Sequence, residues 1–255
     1  MIRSFYVFVL SIALLACAPV FAQTVDELVN KNIQARGGME KLKALKSVKM
    51  TGKMSMGQGV EAPFIMQMKR PNKLRIEFII QGLTGIQAYD GTSGWTLMPF
   101  MGSKDPQKSP EEDTKDLAEQ ADFDGPLVDY KDKGHTIEYI GKEDVEGTQA
   151  EKLKITLKSG KVRYIYMDPE WGLDLKVTAI VKREGIEASV DTLFGDYKEV
   201  GGLTFPHALE QKMAGRPGQQ SFTIEKIELD TEMDDAIFVM PEVSPQTQSQ
   251  PSQQE

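Results

Sequence analysis

Between Val48 and Ile80 the side chains sort by the parity of their residue numbers, and that pattern constrains the fold more than any motif in the chain. Val48, Met50, Met54 and Met56 alternate with Lys49, Thr51, Lys53 and Ser55. Phe64, Met66 and Met68 alternate with Gln67 and Lys69, and Leu74, Ile76, Phe78 and Ile80 with Lys73, Arg75 and Glu77; only Ile79 breaks the rule. Successive side chains of a strand point to opposite faces, so each segment has one apolar and one wetted side. Three such strands in a row predict an antiparallel sheet with one long apolar face. Most of the first inward residues are methionine, which adapts to irregular apolar partners. The pattern fits both an ordinary β-core with methionine as filler and a concave surface that takes up a lipid.

The ends of the chain set its compartment. Residues 1–22 read as a secretory signal peptide: Arg3 opens it, an apolar run from Phe5 to Ala16 follows, and Val20-Phe21-Ala22 supplies a small-residue cleavage pattern. That run of about 12 residues falls short of the roughly 20 that span a bilayer, and no later segment approaches that length. The mature protein is therefore expected not to be integral to a membrane. Leu14-Leu15-Ala16-Cys17 also matches a lipobox, in which Cys17 would become a lipidated anchor, while Pro19 and the ending at Ala22 favour ordinary cleavage. Cys17 is the only cysteine, so cleavage after Ala22 leaves no disulfide and no thiol chemistry. Residues 244–255 hold only Ser, Pro, Gln, Thr and a terminal Glu, which predicts a disordered polar tail. The stretch 23–243 contains no linker-like segment and suits a single domain.

The net charge of −8 grows by one negative unit once Arg3 leaves with the signal. An acidic exported chain is a poor partner for nucleic acid or anionic lipid surfaces.

Thr24-x-x-Glu27 is a capping box opening an amphipathic helix with Val25, Leu28, Val29, Ile33 and Ala35, which Gly37-Gly38 should close. A second short helix is expected over Met39 to Lys46. Ser109-Pro110-Glu111-Glu112 predicts another start, with Ser109 as N-cap and Pro110 in the first helical position. This mid-chain helix, to about Asp122, packs through Leu117, Ala118 and Ala121. It reads as either a mobile flap or a plain surface connector. Alternation then resumes: Leu153, Ile155 and Leu157 share one face, and Leu175, Val177, Ala179 and Val181 share another. About ten or eleven strands joined mostly by short turns must curl over a common interior, with the few helices inside the curl.

Catalytic signatures are missing. His135 and His207 have no ligand-like spacing, so no metal site and no cofactor is expected. Gly91-Thr92-Ser93-Gly94 is not a nucleophile elbow. His207 could serve as the base of a hydrolase only if partners assembled in space.

Ala35-Arg36-Gly37-Gly38-Met39-Glu40-Lys41-Leu42 running into Ser47-Val48-Lys49-Met50-Thr51-Gly52 resembles the opening of the outer-membrane lipoprotein-sorting proteins, the LolA/LolB-like group. Tyr89-Asp90-Gly91 with Gly94-Trp95, and Gly195-Asp196-Tyr197-Lys198-Glu199-Val200 leading to Phe205-Pro206-His207, resemble further segments of that group. The resemblance implies a mainly β fold, an unclosed antiparallel barrel wrapped over helices that act as a lid on an apolar cavity. It also implies a non-enzymatic periplasmic carrier of lipoprotein acyl chains or another lipid, with donor and acceptor proteins at the inner and outer membranes. Arg70 and Arg75 are the arginines nearest to where that group holds its lid.

An acyl chain of about 14 buried methylenes is worth on the order of 11 kcal/mol, so a carrier needs a dry surface of matching size. Met54, Met56, Phe64, Met66, Met68, Leu74, Ile76, Phe78 and Ile80 could supply it, with Trp95 near the rim. Leu28 and Ile33 on the first helix, and Leu117 and Ala121 on the mid-chain helix, would fill the site when empty. An envelope lipid sensor or scaffold acting through a protein partner, and an envelope lipid hydrolase, are the competing readings.

Overall fold

A computed structural model describes residues 24–55, 61–183, 186–215 and 218–242. The signal peptide expected over 1–22, Cys17, Met56 and the tail expected over 244–255 lie outside the described residues. The chain opens with α1 (Val25–Ala35) and α2 (Met39–Ala44). A first meander follows: β1 (Ser47–Ser55), β2 (Glu61–Lys69), β3 (Lys73–Ile80), β4 (Leu83–Tyr89), β5 (Gly94–Leu97) and β6 (Gln107–Lys108). Helix α3 (Glu111–Gln120) leads to a second meander: β7 (Thr136–Val145), β8 (Thr148–Thr156), β9 (Val162–Met167), β10 (Asp174–Arg183), β11 (Ile186–Val200), β12 (Leu203–Met213) and β13 (Gln219–Leu229).

All thirteen strands form one antiparallel sheet in the order β6-β5-β4-β3-β2-β1-β13-β12-β11-β10-β9-β8-β7. Among the described residues the strands of the two meanders pair only where β1 meets β13, and β6 and β7 are free edges, so the sheet is unclosed. The count exceeds the ten or eleven expected; β6, two residues long, carries no alternation to read.

Directly opposed residues of an antiparallel pair share a face. Met68 opposes Val48 and Leu74, Met66 opposes Met50 and Ile76, and Phe64 opposes Phe78. The even-numbered side chains of β1–β3 therefore form one continuous inner face, as the parity predicts. The face continues across the seam, where Met54 opposes Phe222, Phe222 opposes Leu209 and Leu209 opposes Phe194. Helix α1 lies on this side: Leu28, Val29 and Ile33 share a core with Val48, Met54, Phe64, Leu153, Ile155 and Ile165.

The capping box is present, Glu27 N donating to Thr24 Oγ1 (3.2 Å) and Thr24 N to Glu27 Oε2 (2.9 Å). The glycine stop is present too, with Gly38 N donating to Ile33 O and Gly37 at φ 117°. Two local expectations fail. Helix α3 starts one residue late, with Pro110 at the N-cap: the Ser109 backbone pairs with the sheet, its N donating to Gly94 O (2.9 Å), and its Oγ is buried without capping the helix. Leu175 leaves the face of Val177, because a bulge between Asp174 and Lys176 sends it to the outer cluster with Tyr166 and Leu193.

The seam tolerates no added atom at Gly52. A Cβ there would lie 2.0 Å from Thr223 O and 3.0 Å from the Phe64 ring, beside the bulge between Thr51 and Gly52. We expect Gly52→Ala to cost about 2 kcal/mol or more in urea unfolding, whereas Gly82→Ala, with nothing within 4 Å of its Cβ, costs less.

Candidate functional site: the inner face and its strap

Most of the apolar residues singled out in the sequence meet on the inner face. Met54, Phe64 and Leu74 are buried, while Met66, Met68, Ile76, Phe78 and Ile80 are only half-buried. Leu28 and Ile33 join them from α1, and Leu117 and Ala121 from α3 pack against Leu74 and Tyr89. Met56 lies outside the described residues.

Trp95 does not belong to this set. It opposes Ala88, which opposes Arg75, so all three stand on the outer face. There Trp95 is 1 % exposed, its Nε1 donates to Phe238 O (2.8 Å), and Arg75 lies over its ring at 5.6 Å. The short 3-10 turn Asp235–Phe238 covers it. The hairpin register decides this: Tyr89 opposes Gly94, which gives the inward position to glycine.

Helix α3 is more than a connector. Its Leu117 and Ala121 face the first meander. Its acidic side engages the second, where Arg163 Nη2 donates to Glu119 Oε2 (3.1 Å), Ser159 Oγ donates to Glu119 Oε1 (2.8 Å) and Lys161 pairs with Asp116. The helix thus straps the two halves together across the open side. Beyond it Arg70 holds the strap's end: Nη1 donates to Asp124 Oδ2 (2.9 Å), Nε to Leu45 O (2.7 Å) and Nη2 to Leu42 O (2.9 Å), with the guanidinium 4.8 Å from the Phe123 ring centre. One side chain ties α2 to the segment after α3. Burial pushes the Asp124 carboxyl up, but the Arg70 hydrogen bond and the charges of Arg70, Lys133 and Arg36 outweigh it and hold it below the ordinary carboxylate value.

A cavity of about 320 Å³ opens under the C-terminal end of α1, against β9–β12. Ile165, Val177, Phe194, Leu203 and Phe205 give it apolar walls, and Asn32, Arg36, Arg163, Asp174 and Tyr197 give it polar ones. Burial pushes the Asp174 carboxyl up to about 6, against the pull of Arg36 and of a hydrogen bond from Asn32. Tyr197 OH donates to Asp174 O (2.7 Å), and burial raises its phenol far above the usual value. Sequence reasoning passed over this region. One signal was readable: Asn32 sits four residues after Leu28 in the apolar stripe of α1, a polar residue where the pattern wants a hydrophobic one.

Neither histidine stands in a catalytic arrangement. His135 Nδ1 accepts from Lys158 N (3.1 Å), and buried His207 places Nδ1 3.2 Å from Phe205 O. Among the described residues no cluster of three or more His, Cys, Asp or Glu could hold a metal, and no helix is long and apolar enough to cross a membrane.

This arrangement, an unclosed antiparallel sheet curled over short helices, is the LolA-like fold. The chain is similar to a DUF1329 family protein from Desulfovibrio piger, at TM-score 0.60 and 13% identity over 86% of this chain and 98% of that one. It is similar to a LolA superfamily protein from Nitrosomonas europaea, at TM-score 0.56 and 12% identity over 86% and 98%. A domain assigned to outer-membrane lipoprotein sorting, from Vibrio parahaemolyticus, matches at TM-score 0.53 and 12% identity over 82% and 97%. No protein-family profile and no curated protein matches the sequence.

Two outcomes follow for the charged groups. Asp124 has a depressed folded pKa, so its stabilisation is present above its unfolded value and lost as pH falls through the folded one. Asp124→Asn should cost on the order of 2 kcal/mol at pH 7, and urea curves of the two proteins should converge below about pH 4. Asp174 has the opposite sign: its raised folded pKa penalises the fold as pH climbs from the unfolded value through about 6. Asp174→Asn should therefore gain on the order of 1 kcal/mol at pH 8 and little near pH 4.

Proposed function

We propose that the protein is an exported carrier or chaperone, which holds acyl chains of a lipoprotein or another lipid on the inner face and moves them towards the outer membrane. The observation that carries this reading is that the apolar face extends beyond what the helices cover. Phe78, Ile80, Phe100, Phe194, Leu209 and Phe222 stay only half-buried, although Phe64 and Phe222 stack edge-on at 5.8 Å and Phe78 and Phe100 approach to 5.9 Å. A core that served stability alone would have buried them. Helix α3 acts as the lid: its apolar contacts fall on Leu74 and Tyr89, so cargo advancing along the even-numbered residues displaces it, and the Arg70 anchorage limits how far it opens. No covalent step is required. The likeness in fold to the sorting domain supports the cargo class, and the signal peptide read over 1–22 supports a periplasmic location, with lipid anchoring through Cys17 as the alternative.

Native mass spectrometry with lipid extraction, on protein purified without detergent, tests the reading. A co-purified lipid or acylated peptide is the expected result. Phe78→Asp should abolish uptake while the half-buried position preserves the fold; Phe64→Asp, at a buried site, should unfold it. A clean apo mass with no uptake of added lipid would overturn the carrier reading in favour of a scaffold that acts through a protein partner.

A further inference from the structure

The cavity under α1 is polarised in a way that an acyl chain does not require. Asn32 is 1 % exposed, and its amide nitrogen donates to Gly172 O (2.9 Å) and to Asp174 Oδ1 (3.0 Å). Its Oδ1 is buried with no hydrogen-bond partner. Rotating the amide gives no relief, since the oxygen would then face two acceptors. With no accessible surface that oxygen is part of the cavity wall, and the charged groups a ligand can reach there include Asp174 and Arg36. Beside it Asp174 carries a carboxylate whose charge Arg36 meets only through space, because Arg36 Nη1 donates instead to Asp124 O (3.1 Å). The cavity therefore offers the Asp174 carboxylate for a cation and, at Arg36, guanidinium hydrogens for an anion. Ile165, Val177 and Phe194 continue from this polar end into the apolar face.

We propose that this cavity is the headgroup subsite of the carrier, and that it takes an ethanolamine phospholipid: the ammonium donates to the Asp174 carboxylate, and the phosphate lies against Arg36. The assignment rests on the carrier reading above and adds the class of lipid to it. Two chemical exclusions make it specific. A choline headgroup keeps the charge but has no N–H to donate to the Asp174 carboxylate, and a glycerol headgroup has donors but no positive charge for it.

Displacement of the neutral fluorophore N-phenylnaphthylamine from the purified protein, by dioctanoyl phosphatidylethanolamine, phosphatidylcholine and phosphatidylglycerol in turn, tests it. The ethanolamine lipid should bind at least about tenfold tighter than the other two, the range for a hydrogen bond to a charged group. Asp174→Asn should bring it down to the level of the choline lipid while fluorophore uptake persists, which shows that the variant is folded. Should that variant lose the fluorophore, Arg36→Gln serves instead, and is expected to weaken the ethanolamine and choline lipids alike. Equal affinities for all three lipids, an unchanged ranking in Asp174→Asn, or undiminished affinity in Arg36→Gln overturn the headgroup assignment and leave the carrier reading standing. Failure of the wild-type protein to take up either the fluorophore or any lipid overturns both.

Discussion

The ladder between β1 and β13 makes one surface out of two meanders. Each meander alone is a sheet of local hairpins, with an apolar side too broad for its own turns to cover. Once Met54 opposes Phe222 and Met50 opposes Ile227, the two sides run on as a single face that α1 can cover from the middle. The close fit at Gly52, where Thr223 O leaves no room for a Cβ, holds that register. The cavity at β9–β12 and the half-buried aromatic residues from β3 to β11 lie on one face only because this pairing aligns them.

A face assembled in this way still lies open where β6 and β7 fail to meet. Helix α3, the connection between those two strands, crosses the opening with apolar contacts on one side and ion pairs on the other. The division has a physical consequence. The Leu117 and Ala121 contacts with Leu74 and Tyr89 are apolar and insensitive to salt, whereas the partly exposed pairs of Asp116 and Glu119 respond to ionic strength. Arg70 joins neither group. It holds the segment after α3 to α2 through a carboxylate and two carbonyls, so the end of the strap stays fixed even if its middle lifts.

The sequence made much of this legible because a strand writes its burial into every second residue. The even residues of β1–β3, the capping box at Thr24 and the glycine stop of α1 are all local signals, and all stand where they were read. What failed depended on geometry between strands. Trp95 was misplaced because a four-residue strand has too little alternation to reveal its register. Leu175 was misplaced because a bulge adds a residue without marking the sequence. Ser109 caps nothing because its backbone is drawn to the sheet at Gly94, fifteen positions earlier, which leaves its hydroxyl buried away from the helix start. The polar cavity was missed because its members come from α1 and from β9, β10, β11 and β12, which no local pattern brings together; Asn32 alone carried a sign of it.

The free edge at β7 has an effect on the behaviour of many copies in one compartment. Its ten residues expose backbone donors and acceptors that could template another chain. Two features of the strand oppose that. The irregularity between Tyr139 and Gly141 bends the edge, and Glu138, Lys142, Glu143 and Asp144 charge it along its length. The opposite edge, β6, is too short to recruit a partner strand. A sheet that leaves its inner face open is thereby kept from pairing edge to edge with its neighbours.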